Sequence, residues 1–334
     1  MAIKFFILVS LFLCATSVMA QSVQEREPES ESSSRGFAYI NNGAVISVID
    51  LTNYSVTHTI DLKDIALGIA VNAAGTRIYV TQFHSPELMV IDTASKTVIA
   101  KVKFEDRIGF RAVAVNKEGT RVYVTAETSI LIIDTEKNSV VGKIDKLDNP
   151  VSIAIDPVGT RAYVLCRGNI SVIDLESNLT ILSVPIIDHE NFYSRIVISP
   201  DGKRVYAANK DQIFILEIDK DKVSTRVLKS KEKNHSYNDL ALNPEGTLLY
   251  AACNTPYLSV IDTKTITEVA RVQVEDEPLA TIFALSINPD GTRLCVTDSD
   301  RRTFLIIDTS NNSVIKTIKL MFIPLNFGQF ISPR

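Results

Sequence analysis

The chain contains no tryptophan. That excludes repeat folds whose units need the indole by motif, such as WD40 blades, Asp-box sialidase blades and Trp-docked quinoprotein blades. Cysteine is scarce, four in 334 residues. With no CxxCH and no paired CxxC, covalent haem and a structural zinc site of that kind are excluded. Neither sign of charge dominates: 35 basic residues face 39 acidic ones, a net charge of −4. Bulk electrostatics therefore draws nothing to a phosphate backbone. There is no G-x-S-x-G, no S-x-x-K with its partners and no glycine-rich phosphate loop. The longest early apolar run, Phe5 to Leu13, is shorter than the ~20 residues that span a bilayer. What remains, 46% apolar and 22% charged, is globular rather than disordered.

The N-terminus has a layered pattern. Lys4 precedes the apolar run, and small residues from Cys14 to Ala20 close it. This charged start, apolar middle and small-residue end predicts a secretory signal over 1–20, cut after Ala20. A retained anchor and a lipidated Cys14 are the rival readings, and the bulky Leu11-Phe12-Leu13 opposes the second. Residues 21–35, acidic and serine-rich, bury too little to offset their ordering entropy and are expected to be a flexible linker. Export permits disulfides, but Cys166, Cys253 and Cys295 are an odd number and lie in apolar strand-like runs. They are expected to be buried small hydrophobes.

From residue 36 the chain repeats itself. Asn72-Ala-Ala-Gly75-Thr-Arg77-Ile-Tyr79 recurs around Gly119 and Tyr123, Gly159 and Tyr163, Gly202 and Tyr206, Gly246 and Tyr250, and Gly291 with Cys295 in the Tyr position. An Ile-Asp pair recurs at Asp50, Asp92, Asp134, Asp174, Asp219, Asp262 and Asp308, spaced 42, 42, 40, 45, 43 and 46 residues apart. That period is the length of a propeller blade. Each unit holds four short apolar or alternating runs, and helical periodicity is nowhere evident. Proline in Asn-Pro-x-Gly sets the first turn dihedral and glycine takes the left-handed one. The aspartate after each isoleucine suits the next turn, where its carboxylate accepts backbone N–H groups.

With Tyr79-Val-Thr81, Tyr123-Val-Thr125 and the Asn-Pro-Asp-Gly and Val-Ile-Asp-Thr marks, the chain resembles the YVTN-type β-propeller repeat family, over essentially all of 36–334. The resemblance implies an exported propeller and leaves its role open. The blade count follows from the ends. Gly36-Phe-Ala-Tyr39 aligns with the second strand of a unit, and its missing first strand matches Phe330-Ile331-Ser332. The apolar stretch from Leu320 to Ile331 is therefore expected to be a closing segment. The expected fold is all-β: a seven-bladed β-propeller of four-stranded antiparallel blades over 36–334, closed by N- and C-terminal strands that share one blade, three plus one. Closure removes exposed sheet edges.

In a propeller one face collects the loops between blades and the turns joining second to third strands. His84, His189 and His235 map there. Two longer loops read Asp188-His189-Glu190-Asn-Phe-Tyr193-Ser-Arg195 and Asn234-His235-Ser-Tyr237-Asn-Asp239. Each sets histidine, an aromatic and a charge before an innermost strand, hence near the channel mouth. Other strand-entry positions are small, so Arg195 and Asp239 stand out as a polar pair, with Arg111 opposite. The candidate ligand-binding residues are therefore Arg111, His189, Glu190, Tyr193, Arg195, His235, Tyr237 and Asp239. The competing reading makes Arg195–Asp239 a tie between blades.

The first functional expectation is a non-enzymatic, exported scaffold, periplasmic or at the cell surface, recognising a protein, peptide or glycan through its loop face. It implies no cofactor, no membrane span once the signal is removed, and a monomer. The second is a metal-assisted, lactonase-like hydrolase or lyase at the same mouth, with His189, His235 and Glu190 as an N,N,O set. The third, single-strand nucleic-acid binding on Tyr193, Tyr237 and Tyr257, is opposed by the net charge.

Overall fold

The computed structural model describes residues 36–105, 112–186, 195–219, 222–230, 232, 236–274, 282–326 and 328–332. The strands come in seven sheets. β1 (Phe37–Asn42), β2 (Val45–Asp50) and β3 (Ser55–Asp61) form the closing blade. The first blade is β4 (Ala66–Val71), β5 (Arg77–Gln82), β6 (Glu87–Asp92) and β7 (Thr97–Lys103). The second is β8 (Val113–Val115), β9 (Arg121–Thr125), β10 (Ile130–Asp134) and β11 (Ser139–Ile144). The third is β12 (Ser152–Ile155), β13 (Arg161–Leu165), β14 (Asn169–Asp174) and β15 (Leu179–Pro185). The fourth is β16 (Ile196–Ile198), β17 (Arg204–Asn209), β18 (Gln212–Asp219) and β19 (Lys222–Lys229). The fifth is β20 (Tyr237–Leu242), β21 (Leu248–Cys253), β22 (Tyr257–Asp262) and β23 (Thr267–Gln273). The sixth is β24 (Ile282–Ile287), β25 (Arg293–Asp298), β26 (Thr303–Asp308) and β27 (Ser313–Lys319). Within each sheet the pairing is antiparallel, between sequence neighbours.

The repeated residues now have causes. Gly75 sits at φ 69° and donates its N–H to the Asn72 carbonyl, and Asn72 Oδ1 accepts from Thr76 and Arg77, which closes the turn into β5. The aspartates behave as expected: Asp92 accepts from Ser95, Asp174 from Ser177 and Asp262 from Lys264 and Thr265. Those bonds hold their carboxyls below the ordinary range. The tyrosines fill the seams. Tyr79 of the first blade packs with Val113 and Val122 of the second, and Tyr206 of the fourth packs with Leu240 and Leu249 of the fifth. At the seam between sixth and closing blades the smaller Cys295 takes that place.

The ring closes as the repeat implies. Ala38 bridges Ile331, with Tyr39 N–H donating to Phe330 O at 2.8 Å and Ser332 N–H to Phe37 O at 2.9 Å. Asn42 bridges Pro324, and Asn41 N–H donates to Asn326 Oδ1. Gly328 makes the fit possible. It lies at φ 134°, and a Cβ there would stand 1.9 Å from the Ile69 carbonyl oxygen of the first blade. Only glycine combines that dihedral with that approach.

Sequence spacing does not expose one role of the motif. The arginine two residues after the motif glycine reaches out of its own blade in the first, fourth and sixth blades, whereas Arg121 turns to Asp134 and the Thr120 carbonyl of its own. Arg77 donates to the Thr135 carbonyl of the second blade at 2.7 Å, Arg204 to Thr263 of the fifth at 2.5 Å, and Arg293 to the Tyr54 hydroxyl of the closing blade at 3.1 Å. The fifth blade has Leu248 instead.

Candidate functional site

The inner strands enclose a central channel. Its cavity, about 400 Å³, is lined by small and aliphatic residues of β4, β8, β12 and β16, among them Ala70, Ala114, Ile153 and Val197. The polar lining gathers at the strand entries: Arg195, Asn238, Asp239 and Gln329, with Lys117 at the other end.

Arg195 and Asp239 do come together. The Arg195 guanidinium lies 3.5 Å from Asp239 Oδ2 and donates to the Gly328 carbonyl at 2.7 Å. Arg195 enters the fourth blade and Gly328 belongs to the closing segment, three blades further round, so the arginine spans the mouth. Asp239 is buried and its carboxylate is engaged on both oxygens. Oδ1 accepts from the Leu240 N–H at 2.8 Å, and Oδ2 accepts from the Leu285 N–H of the sixth blade at 2.7 Å. Burial pushes its pKa up to about 6, against the pull of Arg195 and those two amides. Asn238 adds a second tie, its Nδ2 donating to the Ile282 carbonyl at 3.0 Å. Ser152 plays the same part at the seam between third and fourth blades, accepting from the Ile196 N–H. Asp239 therefore binds two blades together, while the arginine beside it faces the cavity.

Tyr237 stands elsewhere. It is the first residue of β20, where a register shift before Asp239 turns its ring into the seam core with Ile213 and Ile266 rather than toward the mouth. Burial raises its phenol far above the usual value. The Tyr257 ring is covered by the Arg271 guanidinium at 4.3 Å, and its hydroxyl bonds Glu232. Arg111, His189, Glu190, Tyr193 and His235 lie outside the described residues. Among the described residues no group of three or more His, Cys, Asp or Glu could hold a metal, and no helix is long and apolar enough to cross a membrane. Cys166, Cys253 and Cys295 are free and buried, and burial pushes the Cys166 thiol up to about 11.

A sequence model of the lactonase, 7-bladed β-propeller family matches residues 69–261. The chain belongs to this family. No curated protein matches it. Among solved structures, hydrazine synthase of Kuenenia stuttgartiensis is similar at 19% identity and a TM-score of 0.69, over 80% of this chain and 90% of that one. A functionally unknown protein from Desulfotomaculum acetoxidans DSM 771 is similar at 16% identity and a TM-score of 0.71, over 89% of this chain and 99% of that one. At such identities the likeness is one of fold.

Proposed function

We propose that this lactonase-family chain is an exported recognition propeller. Its channel mouth takes a carboxylate or other acceptor-rich group of a protein, peptide or glycan. One observation carries the reading: Arg195 lines the cavity at the mouth, and the Asp239 carboxylate beside it already accepts a backbone amide on each oxygen. A carboxylate held that way is poorly placed to act as a base, whereas a guanidinium on a rigid ring is suited to paired recognition of an acceptor. The Tyr-Val-Thr and Asn-Pro-Asp-Gly marks support a place among YVTN-type repeats, and the N-terminal pattern supports export. The test is an array of acidic glycans and carboxylate-ended peptides, probed with wild type and Arg195→Gln. Carboxylate-bearing members should bind wild type and lose at least tenfold in Arg195→Gln. Equal binding by both proteins contradicts the proposal.

Lactone hydrolysis is the second reading, and the family match favours it. It needs a base or a metal-activated water, for which His189, Glu190 and His235 are the sequence candidates. Turnover on a lactone panel, together with stoichiometric metal lost in His189→Ala/His235→Ala, would put it first.

A further inference from the structure

The Arg195 side chain is only 17% exposed, yet a single nitrogen of it is engaged. Nη1 makes both contacts, with the Gly328 carbonyl at 2.7 Å and Asp239 Oδ2 at 3.5 Å. Among the described residues, Nε and Nη2 meet no acceptor. Buried donors in folded proteins are nearly always filled, so an open guanidinium edge on a cavity calls for an acceptor from outside the chain. The Nε–Nη2 edge is the fork that grips a carboxylate through two parallel bonds. The tie to Gly328 already fixes the guanidinium, which lowers the ordering cost of binding.

The channel beneath that edge has a different character. Below the strand entries its lining side chains are alanine, valine and isoleucine, as far as Asn116 and Lys117 at the other end. Ala114 and Val115 of β8, Ala154 and Ile155 of β12, and Val197 and Ile198 of β16 are each only half-buried, and all six line the cavity. Side chains of this kind give water few partners, and apolar cavities take apolar occupants. A sugar acid entering here would strand its hydroxyls against them. The cavity, about 400 Å³, is at the small end of ligand sites, with room for a short hydrocarbon chain and not for a glycan.

We propose that mouth and channel together bind an aliphatic carboxylate, its carboxyl group on the Nε–Nη2 edge of Arg195 and its hydrocarbon chain in the channel. This rests on the carboxylate reading above and adds the tail, which makes Ala114 and Ala154 determinants of the chain length accepted. A free short-chain acid and the C-terminal residue of a peptide ending in leucine both present that chemistry.

Titration calorimetry on the full chain, at fixed ionic strength, reads the tail directly. Acetate, butyrate, hexanoate and octanoate supply free acids, glucuronate a polar one, and a short peptide ending in leucine the chain terminus. Affinity should rise about fourfold for each methylene buried, so octanoate should bind at least about tenfold more tightly than butyrate or glucuronate. Ala154→Leu fills the channel below the mouth and should flatten the series, with octanoate binding no more tightly than butyrate, at the wild-type melting temperature. If its melt falls, Ala114→Leu on β8 takes its place. A peptide that outbinds octanoate assigns the ligand to a chain terminus, and the reverse order assigns it to a free acid. Equal affinity along the series, with Arg195→Gln still weakening every member, overturns the tail and leaves the carboxylate reading standing. So does a rise with chain length that both alanine variants leave unchanged. Failure of every carboxylate to bind wild type removes that reading, and this one with it.

Discussion

The seam between the fourth and fifth blades and the seam between the fifth and sixth solve one packing problem differently. In the first, Tyr206 fills the gap and Arg204 reaches over the rim to the Thr263 carbonyl. In the second, Tyr250 fills the gap, but the motif arginine is Leu248, and the tie moves to the channel end, where Asp239 accepts from Leu285 and Asn238 donates to Ile282. The repeat supplies the hydrophobic filling at both seams, and where its polar clamp lapses a residue outside the motif substitutes. A charge at a channel mouth can thus be an element of the ring itself. That separates Asp239 from its neighbour Arg195, although both depart from the same pattern of small strand-entry residues.

The largest effect belongs to the seam with the least room. Gly328→Val forces a Cβ into the Ile69 carbonyl and should open the closing blade, with a drop in melting temperature well beyond about ten degrees and aggregation through the freed edge of β1. An unchanged melt would refute the closing contact. Next comes Asp239→Ala at neutral pH, expected to cost about 2 kcal/mol in denaturant unfolding, because two buried amides lose their acceptor while relief of a desolvated charge offsets part of the loss. Arg204→Ala, on a partly exposed rim clamp, should cost about 1 kcal/mol. Leu248→Arg should change stability least, within about 0.5 kcal/mol, since a gained rim bond is balanced by lost packing against the sixth blade. If Arg204→Ala outweighs Asp239→Ala, the contrast between the two seams is reversed.

The pH dependence sharpens the same contrast. A carboxyl whose pKa rises from 3.8 to about 6 on folding makes the native state bind the extra proton between those values. Its contribution to stability therefore falls as pH rises through that window, by about 3 kcal/mol, and is flat above it. The stability of wild type minus that of Asp239→Asn should decline by that order between about pH 4 and pH 7. The surface aspartates held low by turn bonds, Asp92, Asp174 and Asp262, act in the opposite sense and only toward the acid end, so they cancel in the difference.

Much of the ring is legible in the sequence because periodicity carries phase. Gly75, Tyr79, Asp92 and their counterparts mark turn, strand and strand end, and Phe330-Ile331-Ser332 matches Val197-Ile198-Ser199 residue for residue in character. Less is legible where meaning depends on the neighbouring copy. Nothing in the motif says that the guanidinium of Arg77 or Arg204 leaves its blade while that of Arg121 stays, because the acceptor lies 58 residues away for Arg77 and 59 for Arg204. Tyr237 looks like a mouth residue by position, and a shift of register at the start of β20 turns it inward. Apolar composition makes the whole stretch from Leu320 to Ile331 look like a closing segment. Its first part instead presents Met321, Phe322 and Ile323 to solvent, which composition cannot distinguish from burial.

A cross-link tests the closed ring most directly. Ala38 and Ile331 face each other between the Tyr39–Phe330 and Phe37–Ser332 bonds, a pairing whose close Cα approach suits a disulfide. In Ala38→Cys/Ile331→Cys, mild oxidation should give a quantitative intramolecular bond and a higher melting temperature, while the three buried native thiols stay reduced. Failure to cross-link in the folded protein, or cross-links only between molecules, would contradict the shared blade on which the channel mouth depends.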